Sequence, residues 1–519
     1  MFGYSVGKLP ITFHFLTTMD TTPSSVSVNR WEKPLLWIAV AVLLVGFFRN
    51  VSNPLYDRHS FRQTQTAAII ESLAKGDSMA ESKLYVFGPP WNMPIEFPLY
   101  QKIVSWPVRA GMRVEHAARL VSMLSFLGCL VVMASFLRAI QFPHPLAVVA
   151  VIAVFPTYQM WARSCLIEST ALLLSLLSLR LYWSVLHNPI TFISLASLTV
   201  ATCFATLQKL NAYLVVAAFV ALYVIASRKF KEKQVLISVA SVLAINVVVL
   251  AVWGRISDDA RAGNLLAEQL TGFRHLLMLL GTIGDRLSMG NVAALLKRSY
   301  LCAALLPVIV LVGLRTEVWR ALPGRVMVLL ACSVAALYAT FFKVYSVHDY
   351  YHFSTNLYLI AGILFLSLHW VPVRWTVFWF AGLVVFSVAA NEVAYQRRLE
   401  LTGENHLEPY ALISRALTNT GDSESIVLVL GDDWSSAVNF TSGKKTLAIP
   451  VWYMDIFLAD PKKIIQHCNI TKLDAVVIMR EEYQRRAMFK RLLYGDSEAL
   501  PMVDFPEAKV HVVNRSISL

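Results

Sequence analysis

The chain has 519 residues, 56% of them hydrophobic and only 15% charged, against about 25% charged residues in an ordinary soluble domain. That balance excludes a soluble globular protein, a disordered chain, a collagen and a coiled coil. The net charge of +13 falls largely in short loops between apolar runs, so anionic lipid rather than nucleic acid is the expected partner.

Residues 1–30 are polar and rich in Ser and Thr, and read as a cytoplasmic N-terminal tail. The first apolar run, 33–48, is an anchor rather than a removed signal peptide, because many further runs follow it. These lie near 117–137, 143–161, 165–186, 189–207, 211–227, 234–253, 299–314, 325–342, 354–370 and 374–391. The total is about eleven spans, several of them roughly 18–22 residues long and so able to cross a bilayer. With the N-terminus inside, the basic loop 227–233 and Arg315, Arg320 and Arg325 also fall inside, as short basic loops do. Three longer segments then share the outer side: a first loop 49–116, a second loop 254–298 and everything after about 392.

The first outer loop is too apolar to be a simple linker. Residues 61–75 and 98–112 are expected as helices, with Gly76 and Gly111 near their ends and Pro98 at a first turn. Trp91, Phe97, Tyr100 and Trp106 suit a membrane interface, so both helices are expected to lie along the outer membrane face. Segment 264–298 has a similar mixture. From about 400 the chain alternates helical stretches (406–419, 460–468, 480–494) with β-rich runs (Ser425–Leu430, Thr446–Ile449, Ala475–Met479, Lys509–Val513), the pattern of a small α/β domain. The expected organisation is therefore 1–30 as tail, 31–395 as transmembrane domain and 396–519 as an extracytoplasmic α/β domain.

Ionisable residues gather at the outer ends of the spans. Asp57, Arg58, His59 and Arg62 follow the first span, and Glu96 lies in the same loop. Arg163 and Glu168 open the fourth span and Lys209 closes the fifth. Lys343, His348, Asp349 and Tyr350 lie between the ninth and tenth. Charge near hydrocarbon is costly and is usually paired or functional. Carboxylates with Lys and Arg at one membrane surface suit a site that holds a phosphate and activates a hydroxyl. Each also has a plainer role: Arg163 with Glu168 as a local pair, Lys209 snorkelling, His348-Asp349 as a loop pair. Gly431-Asp432-Asp433-Trp434 follows a predicted strand, where ligands often bind in α/β sheets, although a polar turn is the simpler reading. Asn439, Asn469 and Asn514 begin glycosylation-type triplets. None of the 6 cysteines forms a CxxC pair, so neither a disulfide framework nor a zinc site is expected.

The stretch Tyr56-Asp-Arg-His-Ser-Phe-Arg-Gln-Thr-Gln-Thr-Ala67 resembles the Asp-x-His-x-Trp/Phe-Arg-Gln segment in the first outer loop of bacterial GT-C membrane glycosyltransferases. These are relatives of protein O-mannosyltransferases and of the aminoarabinose transferase acting on lipid A. Ile95-Glu-Phe-Pro-Leu-Tyr-Gln101, Arg163-Ser-Cys-Leu-Ile-Glu168, Lys209 and His348-Asp-Tyr-Tyr351 follow in the family's order, and the resemblance spans roughly residues 30–395. It implies a polytopic α-helical GT-C fold in the bacterial cytoplasmic (inner) membrane, with an extracytoplasmic C-terminal domain. It also implies transfer of a sugar from a polyprenyl-phosphate carrier to an acceptor hydroxyl on a glycan, lipid or protein, by single displacement with inversion. By resemblance, Asp57 is the general base and Glu168 the second acid. Lys209 neutralises the carrier phosphate, with Arg62 or Arg163, and Arg58 and His59 crowd the base. Glu96 orients the acceptor or the loop helices, and His348, Asp349 and Tyr350 line the opposite wall.

Two departures stand out. Phe97 replaces the Lys that follows the second-loop Glu in the aminoarabinose-transferase branch, and 254–298 is too short for the extra domain of the O-mannosyltransferase branch. Asp57, Glu96, Glu168 and Asp349 offer hard oxygen ligands to a divalent cation. The fixed Arg and Lys charge makes one unnecessary, and no cofactor is expected. A transporter or flippase is the first alternative; it would place its charges near the midplane, where this sequence is nearly clean. A non-catalytic assembly protein using its α/β tail is the second.

Overall fold

The computed structural model describes residues 29–52, 54–55, 59–94, 96–264, 266–267, 288–402, 404–418, 426–432, 434–468, 470, 472–479, 502–504 and 508–518. Helix α1 (Glu32–Asn50) enters the bundle. The first loop carries α2 (Ser60–Lys75) and α3 (Leu99–Arg109). The bundle continues with α4 (Val114–Ala139), α5 (Pro145–Val154), α6 (Pro156–Trp161), α7 (Glu168–His187), α8 (Phe192–Gln208), α9 (Leu210–Ala226) and α10 (Lys233–Arg261). After the second loop come α11 (Met289–Arg298), α12 (Cys302–Gly313), α13 (Thr316–Arg320), α14 (Leu322–Thr340), α15 (Phe342–Val347), α16 (His352–Ser367) and α17 (Thr376–Thr402).

The eleven apolar runs map onto helices of unequal length. Among the described residues, five helices are long and apolar enough to cross a membrane, or six if the bent pair α11 and α12, at 92°, is one span. α5, α8 and α9 are apolar but shorter. The run 143–161 is two helices because Pro156 forces Phe155 out of the helical region, at φ −65° and ψ 138°. The bend before α12 falls where Tyr300 and Leu301 both take positive φ. Large apolar side chains on α1 (Trp37, Phe48), α10 (Val247, Val248) and α17 (Phe378, Phe386) are exposed, as lipid-facing surfaces require. The chain is a multi-pass membrane protein.

α2 and α3 form within a residue or three of the expected bounds, with Gly76 and Gly111 at positive φ just beyond them. One face of each packs against the bundle. Ala67, Ile70, Tyr100 and Val104 are buried with Val114, Ala117 and Ile167 in a core of their own. Tyr100, expected at the interface, is interior because its hydroxyl donates to the Ala118 carbonyl at 2.9 Å and lies 3.0 Å from Ser122 Oγ. Trp91 is buried too, while Trp106 is exposed as expected.

The C-terminal part begins with α18 (Glu404–Thr418) and builds a five-stranded sheet. Its strands are β1 (Ile426–Leu430), β2 (Lys445–Ile449), β3 (Lys472–Met479), β4 (Met502–Asp504) and β5 (Ala508–Ser518), in the order β2-β1-β3-β5-β4. β1 is parallel to β2 and β3, and β5 is antiparallel to β3 and β4. α19 (Ala437–Ser442) links β1 to β2, and α20 (Met454–Ala459) and α21 (Pro461–His467) link β2 to β3. The continuous apolar run of β1 fits its burial from Val427 to Leu430, as a strand covered on both faces needs. The expected helix 480–494 lies outside the described residues.

The three segments expected on one side do meet. The backbone N–H groups of Thr446 and Ala448 donate to the carbonyls of Tyr85 (3.2 Å) and Val86 (2.8 Å), so the first loop borders the β2 edge. Asn264 donates from Nδ2 to the Phe87, Gly88 and Pro89 carbonyls. Leu84, Val86, Phe87, Leu266 and Ala267 share one apolar core with the sheet. Gly88, at φ +91°, makes this approach feasible, since a Cβ there would meet the Cys468 carbonyl at 2.7 Å. Gly88→Ala is therefore expected to destabilise the protein by about 1–3 kcal/mol. A thermal melt in detergent checks this; an unchanged Tm would mean the contact has slack.

Candidate active site

α2 brings His59 and Arg62 inward. His59 takes the left-handed conformation, φ 57° and ψ 42°, immediately before the helix. That conformation costs a non-glycine residue about 1–2 kcal/mol, and such strain gathers at functional sites. Here it accompanies a contact with Asp349: His59 Nε2 lies 2.7 Å from Asp349 Oδ1. A carboxylate can only accept, so the imidazole donates. Asp349 is 1% exposed and opens a single 3₁₀ turn, Asp349–Tyr351, ahead of α16. That turn stacks Tyr350 edge-on to His59 with ring centroids 5.0 Å apart.

Arg62 Nη2 donates to Glu96 at 2.5 Å and Nη1 to Gln65 Oε1 at 3.2 Å. Burial, the largest single influence, opposes the guanidinium charge, but Glu96 together with Tyr350 and Tyr351 outweighs it, and the Arg62 pKa is raised. Glu168 is the first residue of α7, where the helix dipole favours a carboxylate. Its partner is Lys209, with the two side chains only 6% and 9% exposed. Lys209 is the extended residue, φ −164° and ψ 95°, at which α8 stops and α9 begins. That break turns its ammonium inward, over the Tyr351 ring at 4.1 Å and the Tyr350 ring at 5.1 Å. Two backbone anchors hold these pieces. Gln63 Oε1 accepts from the Cys165 N–H at 3.0 Å, and Gln208 Oε1 from the Tyr100 N–H at 3.2 Å.

Of the residues picked from the sequence, His59, Arg62, Glu96, Glu168, Lys209, His348, Asp349 and Tyr350 converge at one end of the bundle. Arg163 stands in the turn between α6 and α7, just ahead of Glu168, but the ion pair expected from their proximity is replaced by Glu168–Lys209. Asp57 and Arg58 lie outside the described residues, directly before His59. Sequence reasoning gave no role to Tyr351, Gln65, Trp161 or Arg298, although the first two lie within motifs it picked out. Trp161, 1% exposed, packs 5.6 Å from the His59 ring. Arg298 ends α11 and acts electrostatically on His348. The described residues of the 431–434 turn make contacts within the protein. Trp434 stacks on Phe87 at 5.7 Å and Asp432 Oδ1 accepts from the Tyr410 hydroxyl at 3.0 Å. Asn439 is buried and donates to the Lys444 carbonyl, so its triplet is not presented for glycosylation. Among the described residues, no three His, Cys, Asp or Glu side chains form a group able to hold a metal.

Burial, then the positive neighbours His59, Arg62, Arg298 and Lys209, push His348 down to about 3. An unfolded histidine takes up its proton near pH ~6.5. Between those values the unfolded chain binds more protons, so stability is full above ~6.5 and falls as the pH drops toward 3. His348→Asn is expected to lose less Tm than wild type over that interval. Matching acid profiles would show that His348 is not held neutral by the fold.

No protein-family model matches the sequence, and no curated protein matches it. The fold aligns with ArnT from Cupriavidus metallidurans bound to undecaprenyl phosphate at TM-score 0.58 and 12% identity, over 94% of this chain and 99% of that one. The apo form of ArnT gives 0.55 and 13% identity, over 92% and 98%. The oligosaccharyltransferase AglB from Archaeoglobus fulgidus, in complex with an inhibitory peptide and dolichol-phosphate, gives 0.52 and 10% identity, over 90% of this chain and 71% of that one. The chain thus has the fold of the GT-C membrane glycosyltransferases.

Proposed function

We propose that the chain is an inverting glycosyltransferase of the cytoplasmic membrane. It moves a sugar from a polyprenyl-phosphate carrier to an acceptor hydroxyl on the extracytoplasmic side. On this reading 31–395 is the transferase unit and 396–519 an extracytoplasmic layer, with the N-terminus cytoplasmic. The observation that carries the proposal is the convergence of two cations, Arg62 and Lys209, with Glu96, Glu168 and the His59–Asp349 pair at one end of a GT-C bundle. The ArnT and AglB structures of the same fold hold undecaprenyl phosphate and dolichol-phosphate. Transport is less well served, since these ionisable groups sit at helix ends rather than at mid-span.

Asp57 is assigned the acceptor proton. The acceptor oxygen bonds to the anomeric carbon as that carbon's bond to the phosphate oxygen breaks, which inverts the centre. The departing polyprenyl phosphate carries the developing charge, which Lys209 and Arg62 stabilise from fixed positions. Glu96 and Glu168 hold those cations in place until a phosphate competes for them, and His348, Tyr350 and Trp161 wall the sugar. Radiolabelled polyprenyl-phosphate sugars supplied to membranes containing the protein test the proposal. Donor consumption with inverted product configuration is expected. A retained configuration, or no consumption by folded protein given a broad acceptor extract, would overturn it.

A further inference from the structure

Gln65 lies on α2 and is 1% exposed. Its side chain makes two contacts that fix its orientation. A guanidinium only donates and a carbonyl only accepts, so Oε1 must face Arg62, at 3.2 Å, and Nε2 the Trp434 carbonyl, at 2.8 Å. The amide thus joins the site cation to the turn after β1. Ser436 Oγ, two residues on, donates to Thr64 Oγ1 at 3.1 Å. Trp434 is itself held by stacking on Phe87, which the β2 edge borders. Besides the β2 contacts to residues 85 and 86, the C-terminal layer therefore grips α2 at two places among the described residues, and one grip ends on Arg62.

We infer that Gln65 is a positioning residue through which the C-terminal layer sets the Arg62 guanidinium for the donor phosphate. Arg62 has five N–H donors. Glu96 takes one and Gln65 another among the described residues. Contact with Glu96 alone would leave the plane of the fork free to rotate about that bond. The second contact, from the other nitrogen, fixes the plane, so the remaining donors meet a phosphate already aligned. Gln65 need not touch donor or acceptor. The inference rests on Arg62 being a phosphate-facing cation, as proposed above.

Full-length wild type, Gln65→Leu, Trp434→Ala and the double variant test this with two readouts. The first is affinity for polyprenyl phosphate lacking a sugar. The second is amide hydrogen exchange across 60–66 without lipid, which needs no reaction. Gln65→Leu is expected to bind the lipid about tenfold more weakly, the size expected for a hydrogen bond to a charged group. Trp434→Ala, which keeps the amide but loosens its carbonyl partner, should weaken binding about threefold. The double variant should match Gln65→Leu alone, because both changes act on one link. Exchange across 60–66 should rise in all three. Wild-type affinity in Gln65→Leu, or losses that multiply in the double variant, would overturn the inference. If wild type binds no polyprenyl phosphate but exchange still responds to Trp434→Ala, the link stands and the donor assignment falls. If wild type binds and exchange is unmoved, the link falls and the donor assignment stands.

Discussion

Lys209→Met is expected to cut sugar transfer by about 10²–10³-fold, the loss seen when one preorganised charge-stabilising group is removed, and to lower Tm as well. The two effects have separate causes and can be separated. Glu168 is almost fully buried beside Lys209. Removing one member of such a pair leaves an uncompensated charge, at a cost of about 3–5 kcal/mol. Adding Glu168→Gln removes that charge, so Lys209→Met/Glu168→Gln should recover most of the Tm. Transfer should stay low, because the cation assigned to the leaving phosphate is still missing. Thermal melts and donor turnover on wild type, Lys209→Met and the double variant decide the matter. Full transfer by the double variant would make the pair a structural strut.

Asp57→Asn should lower transfer by about 10²–10⁴-fold, the usual contribution of a positioned general base. Its Tm should stay near wild type, since an amide has the same shape as the carboxylate. Its affinity for polyprenyl phosphate should also hold, which separates it from Lys209→Met. Near-normal transfer by a well-folded Asp57→Asn protein would move the base elsewhere, with Glu168 the next carboxylate to test.

Hydropathy and the order of charges are enough to put Glu168, Lys209 and His348-Asp349 at the ends of apolar runs, because charge inside hydrocarbon is so costly. They do not pair them. Proximity in the chain suggests Arg163 for Glu168, whereas the packing of α7 against α8 and α9 delivers Lys209. Which helices adjoin is a property of the whole bundle, and periodicity does not report it. The break at Pro156 is written in the sequence but is smoothed over when apolarity is averaged along 143–161. Tyr100 is placed wrongly by residue type alone, since its interior partners are a carbonyl and a serine on α4. The α/β pattern after 400 is legible from β1, β2 and β3, whose runs are apolar and bounded by turns. Three-residue β4 is too short to show a pattern. Nor does any local signal announce that Tyr85 and Val86 will meet β2, or that Gln65 will face Trp434. Those contacts join segments more than 300 positions apart.

That separation has a consequence for how the protein is made. A ribosome adds about 5–20 residues per second, so tens of seconds pass between synthesis of Tyr85 and of Thr446. For all that time the first loop waits on its side of the bilayer with the carbonyls of residues 85 and 86 lacking their eventual donors. Every later span must be inserted before those donors arrive. A chain cut short anywhere before the sheet would be threaded through the membrane yet unfinished around Arg62. The surroundings of Arg62 would then be completed late, only after Trp434 and the β2 strand have been made.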